Sequence, residues 1–314
     1  MKRPKIVVVG SSNTDMVVKA ARIPVPGETI LGGAFVMAPG GKGANQAVAA
    51  ARLGAEVSFV ARLGTDSLGD DAVAGYRKDS ILTDLIVRDP DRPTGVALII
   101  VDAHGENSIT VALGANDALS PDDVERAADR IRAADAVVMQ LEVPLVAVER
   151  AAAIARAAGV PVILDPAPAP DGGLPESLLR DVTCLKPNES EAERLTGIRV
   201  SDSASAERAA RALQTLGPRT VIITLGRQGA VVVDGAAVHH VPAYRITAVD
   251  ATAAGDAFTG ALATAMAVGA TLDEAVRRAS AAGALAAMRM GAQPSLPTQA
   301  EWEAFIAAQA AGRQ

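Results

Sequence analysis

The sequence predicts an α/β fold in which helices cover a mainly parallel central sheet, with a second, small antiparallel sheet attached to it. From about residue 130 onward, short β-branched runs alternate with longer helical patterns. Two earlier segments each contain successive strand patterns that no helical pattern interrupts. The composition agrees, because 49% hydrophobic and 21% charged residues in a chain of 314 are typical of a folded protein with a sizeable core.

The parallel sheet is predicted from short apolar runs at 136–140, 160–165, 182–187, 221–226 and 230–234. The stretches between these runs carry signals for helix starts. Ser120 is a predicted N-cap, followed by Pro121 at the first helical position and an acid at the third. Thr271 and Glu274 have the spacing of a capping box. Such alternation of strand and helix favours a parallel sheet covered by helices.

The small sheet is predicted from residues 16–39 and 94–115, which form two excursions out of the main fold. Their strand patterns cover 16–19, 28–37, 95–102 and 108–113. The turn at 103–107 joins the last two strands as a hairpin. A sheet with an apolar face that stands clear of the parent core has to cover a ligand, a partner subunit or both.

Charge, cysteine content and hydropathy argue against several classes of protein. A formal net charge of -6 with no basic stripe disfavours nucleic-acid binding. The single cysteine, Cys184, allows no internal disulfide and no cysteine-based zinc site, and the histidines form no metal cluster. No apolar run is long enough to span a membrane, and the run at 6–10 is shorter than a secretory signal core. We expect a cytoplasmic protein with small-molecule partners.

The first glycine-rich segment is Pro39-Gly40-Gly41-Lys42-Gly43-Ala44-Asn45, which precedes a predicted helix at 46–53. Glycines allow a positive φ and a close approach of ligand to backbone at a helix start, where free N–H groups point outward. The segment is not a Walker A loop, because both the spacing and the terminal hydroxyl of that motif are absent. On its own, such a segment is equally well a plain turn.

The second segment runs from Val249 to Phe258 and leads into a predicted apolar helix at 259–268. Its small residues bring several backbone amides together, which favours a site for anionic oxygen. Asp256 lies in the first turn, where a carboxylate also interacts favourably with the helix dipole. The functional alternative is a general base that takes the proton of an attacking hydroxyl.

Polar residues recur where the predicted strands end: Ser11 to Asp15, Glu142, Asn188, Glu191 and Thr224 to Gly229. In an open parallel sheet, ligands bind beyond the carboxyl ends of the strands. We therefore expect these loops to converge on one crevice, although each residue taken alone could be a turn former or a helix cap.

Together these segments resemble the ribokinase family of carbohydrate kinases, also called the phosphofructokinase B family, from Ile6 to about Phe305. Gly40–Asn45 is similar to the first family signature and Asp250–Phe258 to the second, with its Ala-Gly-Asp core intact. Other similar segments are 13–15, 94–97, 105–107, 139–142, 187–193, 224–226 and 291–295.

The resemblance implies one three-layer α/β/α domain over residues 1–314, with 16–39 and 94–115 inserted as a β lid that also forms a homodimer. The implied activity is transfer of the ATP γ-phosphoryl group to the 5-hydroxyl of D-ribose, with Mg2+ on the nucleotide. The family also has a site for a monovalent cation, K+, beside the anion-binding turn.

Family roles carried over by resemblance fall into four groups. The sugar site comprises Asn13, Thr14, Asp15, Gly41, Lys42, Gly43, Ala44, Asn45 and Glu142. Asp256 is the implied base, and the amides of Ala253, Ala254, Gly255 and Asp256 form the anion hole. The nucleotide contacts are Asn188, Thr224, Leu225, Gly226, Arg227, Gln228, Gly229, Gly255 and Ser280, and Glu191 helps to hold hydrated Mg2+. The K+ ligands are Asp250, Thr252, Ala286, Arg289, Gly291 and Ser295.

The sequence departs from the family pattern at Ala251 and Ala257, where threonine is frequent, and at 288–290, which is usually more polar. Other functions also stay open. The chain could phosphorylate deoxyribose, another pentose or a nucleoside, or bind or sense a sugar without catalysis. Asn13 and Asp15 favour an acceptor with a 2-hydroxyl, and the scarcity of aromatic residues disfavours a nucleoside. A nicotinamide dehydrogenase would need a Gly-x-Gly-x-x-Gly run, which Ser11-Ser12-Asn13 replaces.

Overall fold

The computed structural model describes residues 3–31 and 33–311. Its strands are β1 (Lys5–Val9), β2 (Asn13–Lys19), β3 (Phe35–Gly40), β4 (Glu56–Gly64), β5 (Ile86–Asp89), β6 (Gly95–Val101), β7 (Asn107–Ala112), β8 (Ala136–Met139), β9 (Val162–Leu164), β10 (Cys184–Leu185), β11 (Thr220–Thr224), β12 (Ala230–Asp234) and β13 (Ala237–Val241). Its α-helices are α1 (Lys42–Arg52), α2 (Ser67–Lys78), α3 (Pro121–Arg126), α4 (Ala128–Arg132), α5 (Leu145–Ala157), α6 (Glu176–Asp181), α7 (Glu189–Thr196), α8 (Ser203–Gln214), α9 (Ala254–Ala267), α10 (Leu272–Ala287) and α11 (Gln299–Ala311).

The central sheet is mainly parallel, as the sequence predicts. Its strand order is β13-β12-β11-β10-β9-β8-β1-β4-β5. Every pairing from β5 to β11 is parallel, and only the β11–β12 and β12–β13 pairs at one edge are antiparallel. The predicted strand at 230–234 has the bounds of β12, whereas the run at 182–187 pairs only at Cys184 and Leu185.

Helices cover both faces of this sheet. Successive residues of β1 enter different cores: Ile6 and Val8 pack in one cluster, and Val7 and Val9 in the other. The first cluster includes residues of α1, α9 and α10, and the second includes residues of α3, α4, α5 and α8. Because both faces are buried, the strands are continuous apolar runs without polar alternation. The three-layer expectation is confirmed.

Helices α1 and α9 pack almost backbone against backbone. A Cβ atom added at Gly260 would lie 2.7 Å from Ala49 Cβ and 2.9 Å from the Ala50 nitrogen. A larger side chain in α9 would therefore push the two helices apart. This packing fixes the starts of α1 and α9 relative to each other.

The second sheet has four strands in the order β3-β2-β6-β7. The β2–β3 and β6–β7 pairs are antiparallel, but the central β2–β6 pair is parallel, with Asn13 opposite Gly95. Both excursions leave the main body side by side and run outward together, so their first strands pair in parallel and each returns through its own partner. The predicted strand at 28–37 begins to pair only at Phe35.

The helix-start predictions differ in outcome. Ser120 forms a full capping box with Asp123. Thr271 accepts from the Glu274 N–H, but within the described residues the Glu274 side chain makes no reciprocal bond to the Thr271 N–H. Within the two described ranges, no helix is long and apolar enough to cross a bilayer.

Candidate active site

The first signature forms the beginning of α1. The prediction of a loop through Asn45 followed by a helix from 46 is wrong, because α1 begins at Lys42 with Gly41 as its N-cap. Gly41 has a φ of 88°, which glycine adopts without steric cost. A Cβ at Gly43 would lie 2.5 Å from the Ser11 nitrogen, so this glycine lets the helix start against the loop after β1.

The N-terminal N–H groups of α1 donate to acceptors of the protein itself. The Lys42 N–H donates to Glu142 Oε2 at 3.0 Å, and the Ser11 hydroxyl donates to the same oxygen at 2.5 Å. The Gly43 N–H donates to Ser11 Oγ, and the Ala44 N–H to the Ser11 carbonyl at 2.8 Å. These bonds satisfy the donors that a helix start leaves free.

The start of α9 is open instead. This helix begins at Ala254, five residues before the predicted start at 259, and Asp256 lies in its first turn as predicted. The Ala254 N–H donates to the Ala251 carbonyl at 3.1 Å. Within residues 3–31 and 33–311, the N–H groups of Gly255 and Asp256 have no acceptor. Free amides at a helix N-terminus favour an anionic oxygen.

The Asp256 carboxylate joins the two helices. Asn45 Nδ2 donates to its Oδ2 at 2.9 Å, and Gln46 Nε2 donates to its Oδ1 at 3.0 Å. Gln46 Nε2 also donates to Asp165 Oδ2 at 2.9 Å, and Gln46 Oε1 accepts from Gln140 Nε2 at 2.6 Å. Asp256 is thus oriented at both oxygens, and the residue as a whole is only 7% exposed.

Charges around Asp256 oppose one another. Burial raises the pKa of Asp256, and Asp165 adds to this, whereas Lys42 and the two amide donors lower it. For Lys42, burial works against the charged form, but Asp256, Asp165, Glu142 and Glu191 together hold its pKa above the ordinary value. Lys42 therefore keeps its positive charge beside the candidate base.

A buried ion pair lies behind the open helix start. Lys186 Nζ contacts Asp165 Oδ2 at 2.9 Å, and the two side chains are 3% and 4% exposed. Thr259 Oγ1 donates to the same oxygen at 3.3 Å. Lys186 Nζ is 3.7 Å from where a Cβ on Gly255 would lie, so a positive charge borders the free amides. Asp165 Oδ1 has no partner in the described part of the chain.

Sequence reasoning assigned no site role to Gln46, Asp165 or Lys186. The available signal was position, because Asp165 and Lys186 directly follow β9 and β10, and Gln46 directly follows the first signature. Each is a buried polar residue at the carboxyl edge of the sheet.

The predicted sugar residues separate into two groups. Asn13 and Asp15 lie on one face of β2, because alternate residues of a strand share a face, and Thr14 lies on the other. Burial raises the pKa of Asp15 to about 6, with further contributions from the charges of Glu142 and Asp256. Ala44 is fully buried in the core that α1 shares with α9. Gly43 packs on Ser11, so the predicted sugar residues whose side chains lie near Asp256 are Asp15, Lys42 and Asn45. Glu142 lies beside Asp15 and Lys42, and Asn13 shares the strand face of Asp15.

Most of the predicted nucleotide residues follow the ends of β10 and β11, whereas Gly255 and Ser280 lie in α9 and α10. Asn188 caps α7 in a capping box with Glu191, and it bridges to Thr224 at the end of β11. Arg227 and Gln228 belong to a 3-10 turn over Gly226–Gln228, which Gly229 follows with a φ of 96°. The Leu225 side chain is in the core, and the Ser280 hydroxyl donates to the Val276 carbonyl within α10. Helix α10 nevertheless approaches the open start of α9, because a Cβ on Gly283 would lie 3.0 Å from the Ala254 carbonyl oxygen.

Two of the predicted cation residues, Thr252 and Gly291, donate hydrogen bonds to a third, Asp250. Its Oδ1 accepts from Thr252 N and Oγ1 at 2.9 and 2.6 Å, and its Oδ2 accepts from the Gly291 N–H at 2.8 Å. Burial opposes the charge of Asp250, but these hydrogen bonds hold its pKa below the usual value. The Ala286 carbonyl accepts from the Arg289 N–H, the Arg289 guanidinium pairs with Glu301, and Ser295 donates to the Ala292 carbonyl.

The model of the pfkB family carbohydrate kinase matches residues 3–299. The chain belongs to this family. The two segments that resemble the family signatures, Gly40–Asn45 and Asp250–Phe258, contain the starts of α1 and α9. A hydrogen bond from Asn45 to Asp256 joins them.

Several pfkB kinase relatives match over almost the whole chain. A ribokinase of Haemophilus influenzae is 42% identical over 304 residues, which is 97% of this chain and 99% of that protein. A deoxyribokinase of Salmonella typhimurium is 36% identical over 301 residues, covering 96% and 98%. The structure of Arabidopsis thaliana ribokinase complexed with ribose and ATP has a TM-score of 0.89 at 34% identity, covering 98% of this chain and 99% of the other.

Proposed function

We propose that this chain transfers the γ-phosphoryl group of ATP to the 5-hydroxyl of D-ribose, with Asp256 as the general base. One observation carries the proposal. A single buried carboxylate is oriented by two amides of α1 and stands in the first turn of α9, beside N–H groups with no partner in the described residues. The ribokinases among the relatives support ribose as the acceptor.

The proposed reaction moves one proton and one phosphoryl group. The Asp256 carboxylate takes the proton of the sugar hydroxyl, whose oxygen forms a bond to the γ-phosphorus. The bond from that phosphorus to the β,γ-bridging oxygen breaks, and ADP leaves with the electron pair. The Gly255 and Asp256 amides stabilise negative charge on the transferred group, and Lys42 and Lys186 add positive charge nearby.

The residues near Glu191 fit a hydrated Mg2+ ion. Within the described residues, no three Asp, Glu, His or Cys side chains cluster to hold a metal, so most ligands would be phosphate oxygens and water. Glu191 Oε2 accepts from the Asn188 N–H, and the buried Asp165 Oδ1 is an acceptor without a partner. Carboxylate oxygens of this kind suit a hard cation. A bound Mg2+ would neutralise charge on the ATP phosphates.

A potassium site is proposed at Asp250 and the segment 286–295. The hydrogen bond from Gly291 to Asp250 brings this segment beside the turn that begins α9. Backbone carbonyls and a carboxylate are suitable ligands for such an ion, which would order the turn without contacting the sugar. Replacement of K+ by Na+ in the assay tests this role.

The four-stranded sheet is proposed as a lid over the sugar and as the interface of a homodimer. It exposes apolar side chains on both faces: Phe35, Met37 and Leu98 share one face, and Val36, Ile109 and Val111 share the face of Asp15. One face can cover the sugar site, and a second copy can cover the other. We expect Leu98→Lys to dissociate the dimer in sedimentation experiments. A monomeric unmodified chain at micromolar concentration would refute the interface.

We also propose the cytoplasm as its compartment, on the sequence features given above.

The deciding experiment measures ADP release with ribose, 2-deoxyribose, other pentoses and nucleosides as acceptors. We expect ribose to give the highest kcat/KM. Asp256→Asn should lower kcat about 10³-fold with ribose binding retained, because general base catalysis typically contributes roughly 10²- to 10⁴-fold. Glu274→Gln is the matched control, since Glu274 occupies the third position of α10 as Asp256 does in α9, and it should keep full activity.

Each part of the proposal can fail separately. No ADP release with any sugar would leave a sugar-binding protein, and a preference for 2-deoxyribose would change the acceptor but not the chemistry. Near-normal turnover of Asp256→Asn would remove Asp256 as the base.

A further inference from the structure

A buried asparagine outside the predicted site, Asn116, contacts Asn13, which is one of the residues predicted to bind the sugar. Asn116 lies in a 3-10 helix at Gly114–Ala118 and is fully buried. Its Nδ2 donates to Asn13 Oδ1 at 2.8 Å. Asn13 is itself 4% exposed, so this bond lies in the interior of the protein.

The backbone determines which way the Asn116 amide faces. The Ser12 N–H, which can only donate, lies 2.8 Å from Asn116 Oδ1. The Ser12 and Leu113 carbonyl oxygens, which can only accept, each lie 3.0 Å from Asn116 Nδ2. A rotated amide would place an oxygen against two carbonyl oxygens and an NH2 group against an N–H. The observed orientation is therefore required.

The orientation of Asn116 then determines that of Asn13. The atom of Asn13 that faces Asn116 Nδ2 has to be an acceptor, which makes it Oδ1. The NH2 group of Asn13 faces away from Asn116, and it makes no hydrogen bond within residues 3–31 and 33–311. Asn13 shares its strand face with Asp15, which lies close enough to Asp256 for their charges to interact.

Gly95 leaves space for this contact. It is the β6 partner of Asn13, and a Cβ on Gly95 would lie 2.3 Å from both Asn13 Oδ1 and Asn116 Nδ2. Any side chain at Gly95 would therefore displace the two amides. The strand pairing and the amide contact depend on each other.

We infer that Asn116 is a positioning residue that fixes the Asn13 amide with its NH2 group toward the sugar site. This inference rests on the proposed function and adds the polarity of one contact. Asp15, Glu142 and the unpartnered Asn45 Oδ1 are acceptors for sugar hydroxyls. Asn13 supplies a donor among them, so it recognises a lone pair on a sugar oxygen.

Asn116→Asp tests the inference because it replaces the NH2 donor that faces Asn13 with an acceptor oxygen. In its ionised form the carboxylate accepts from the Ser12 N–H and, at the other oxygen, from the Asn13 amide, so Asn13 turns its oxygen toward the sugar. That carboxylate oxygen also faces the Ser12 and Leu113 carbonyl oxygens, so we expect a lower free energy of unfolding as well, measured by denaturation. We expect the KM for ribose to rise about tenfold, in line with loss of one hydrogen bond, with kcat changed less than threefold. The KM for ATP should not change. Asn116→Ala, which frees Asn13 to take either orientation, should raise the ribose KM by a smaller factor.

Asn13→Asp is the second variant and does not depend on the fold tolerating a change at Asn116. Its carboxylate still accepts from Asn116 Nδ2, so the changed atom is the one facing the sugar. We expect a rise in ribose KM with an unchanged KM for ATP. An unchanged or lower ribose KM in Asn13→Asp or Asn116→Asp would overturn the inference.

A measurement on the protein without substrate separates this inference from the proposed function. Hydrogen exchange of the side-chain amides by NMR should be slow for Asn116 and fast for Asn13, and slow for Asn13 in Asn116→Asp. Slow exchange of the Asn13 amide in the unmodified protein would refute the orientation even if ribose is phosphorylated. Absence of ribose phosphorylation would refute the proposed function and leave the orientation measurable.

Discussion

The starts of α1 and α9 carry the two family signatures, yet one is closed and the other is open. At α1, Glu142 and Ser11 accept the N–H groups of the first turn. At α9, the N–H groups of Gly255 and Asp256 have no acceptor within the described residues. A glycine-rich helix start is thus not by itself an anion site. The free N–H groups at α9 support our proposal that the phosphoryl group binds at the start of α9 and the sugar beside the start of α1.

The largest expected loss of activity comes from a negative charge placed at the start of α9, beside its free N–H groups. Ala253 is the N-cap of α9 and has a φ of 58°, a conformation that Asp and Asn tolerate. Ala253→Asp should lower kcat/KM for ATP about 100-fold, because the carboxylate repels the phosphates from the free amides. Ala253→Asn is the neutral control and should lose less than tenfold. Equal losses in the two variants would mean that shape, not charge, is responsible.

Lowering the pH should weaken ribose binding before it slows phosphoryl transfer. Burial and two neighbouring carboxylates raise the pKa of Asp15 to about 6, so its acceptor form is lost as pH falls through that value. Between pH 7 and pH 5, kcat/KM for ribose should fall about tenfold through Asp15. The value of kcat at saturating ribose reports Asp256 instead.

Asp15→Asn is the control for this pH dependence. It should remove the Asp15 contribution from the ribose profile and leave the profile of kcat in place. If the ribose profile of Asp15→Asn matches that of the unmodified protein, Asp15 does not cause it.

Removing the acceptor at the start of α1 should lower both the free energy of unfolding and the affinity for ribose. Glu142→Ala removes the acceptor for the Lys42 N–H and for the Ser11 hydroxyl. We expect a loss of about 1 kcal/mol in the free energy of unfolding, as for other helix caps. The ribose KM should rise severalfold, with little change in the KM for ATP. Glu142→Gln keeps an acceptor and should lose less stability in the same denaturation experiment.

The smallest effect should come from relief of backbone strain at the open start. Ala253→Gly removes the steric cost of a positive φ but increases the entropy of the unfolded chain. We expect a gain of less than about 1 kcal/mol, with kcat within twofold, because the amides keep their positions. Ser80→Gly, at a φ of 59° in an exposed residue outside the site, is the matched control. A loss of activity in Ala253→Gly alone would show that the strain positions the amides.

Much of the main fold follows from the sequence. Strands buried on both faces are continuous apolar runs, so the parallel strands were predictable from the runs between 136 and 226. The run at 230–234, which the same pattern assigned to the parallel sheet, pairs antiparallel on both sides. The parallel pairing of β2 with β6 was not, because it joins residues far apart in the chain. Local patterns in each excursion predict its own hairpin partner, but not which strands of the two excursions pair with each other.

The candidate site was predictable where chemistry lies within a motif. Asp256 in a first turn follows from the small residues before it. The start of α1 at Lys42 does not, because it depends on Glu142 and Ser11, which reach the helix from other strands. Asn116 and Gln46 act through contacts with distant residues and have no sequence signal of their own.

The near contact of Gly260 with Ala49 and Ala50 has a mechanical consequence. Because α1 and α9 are locked together, we expect the proposed base and the amides that orient it to move as one rigid body during turnover. On the proposed lid role, admission of a sugar and escape of its phosphate ester would then depend on hinges elsewhere, such as the segments that lead into the four-stranded sheet. A larger side chain at Gly260 would push α1 and α9 apart and displace the proposed base, Asp256. It would do so without changing any residue proposed to contact the sugar or the nucleotide.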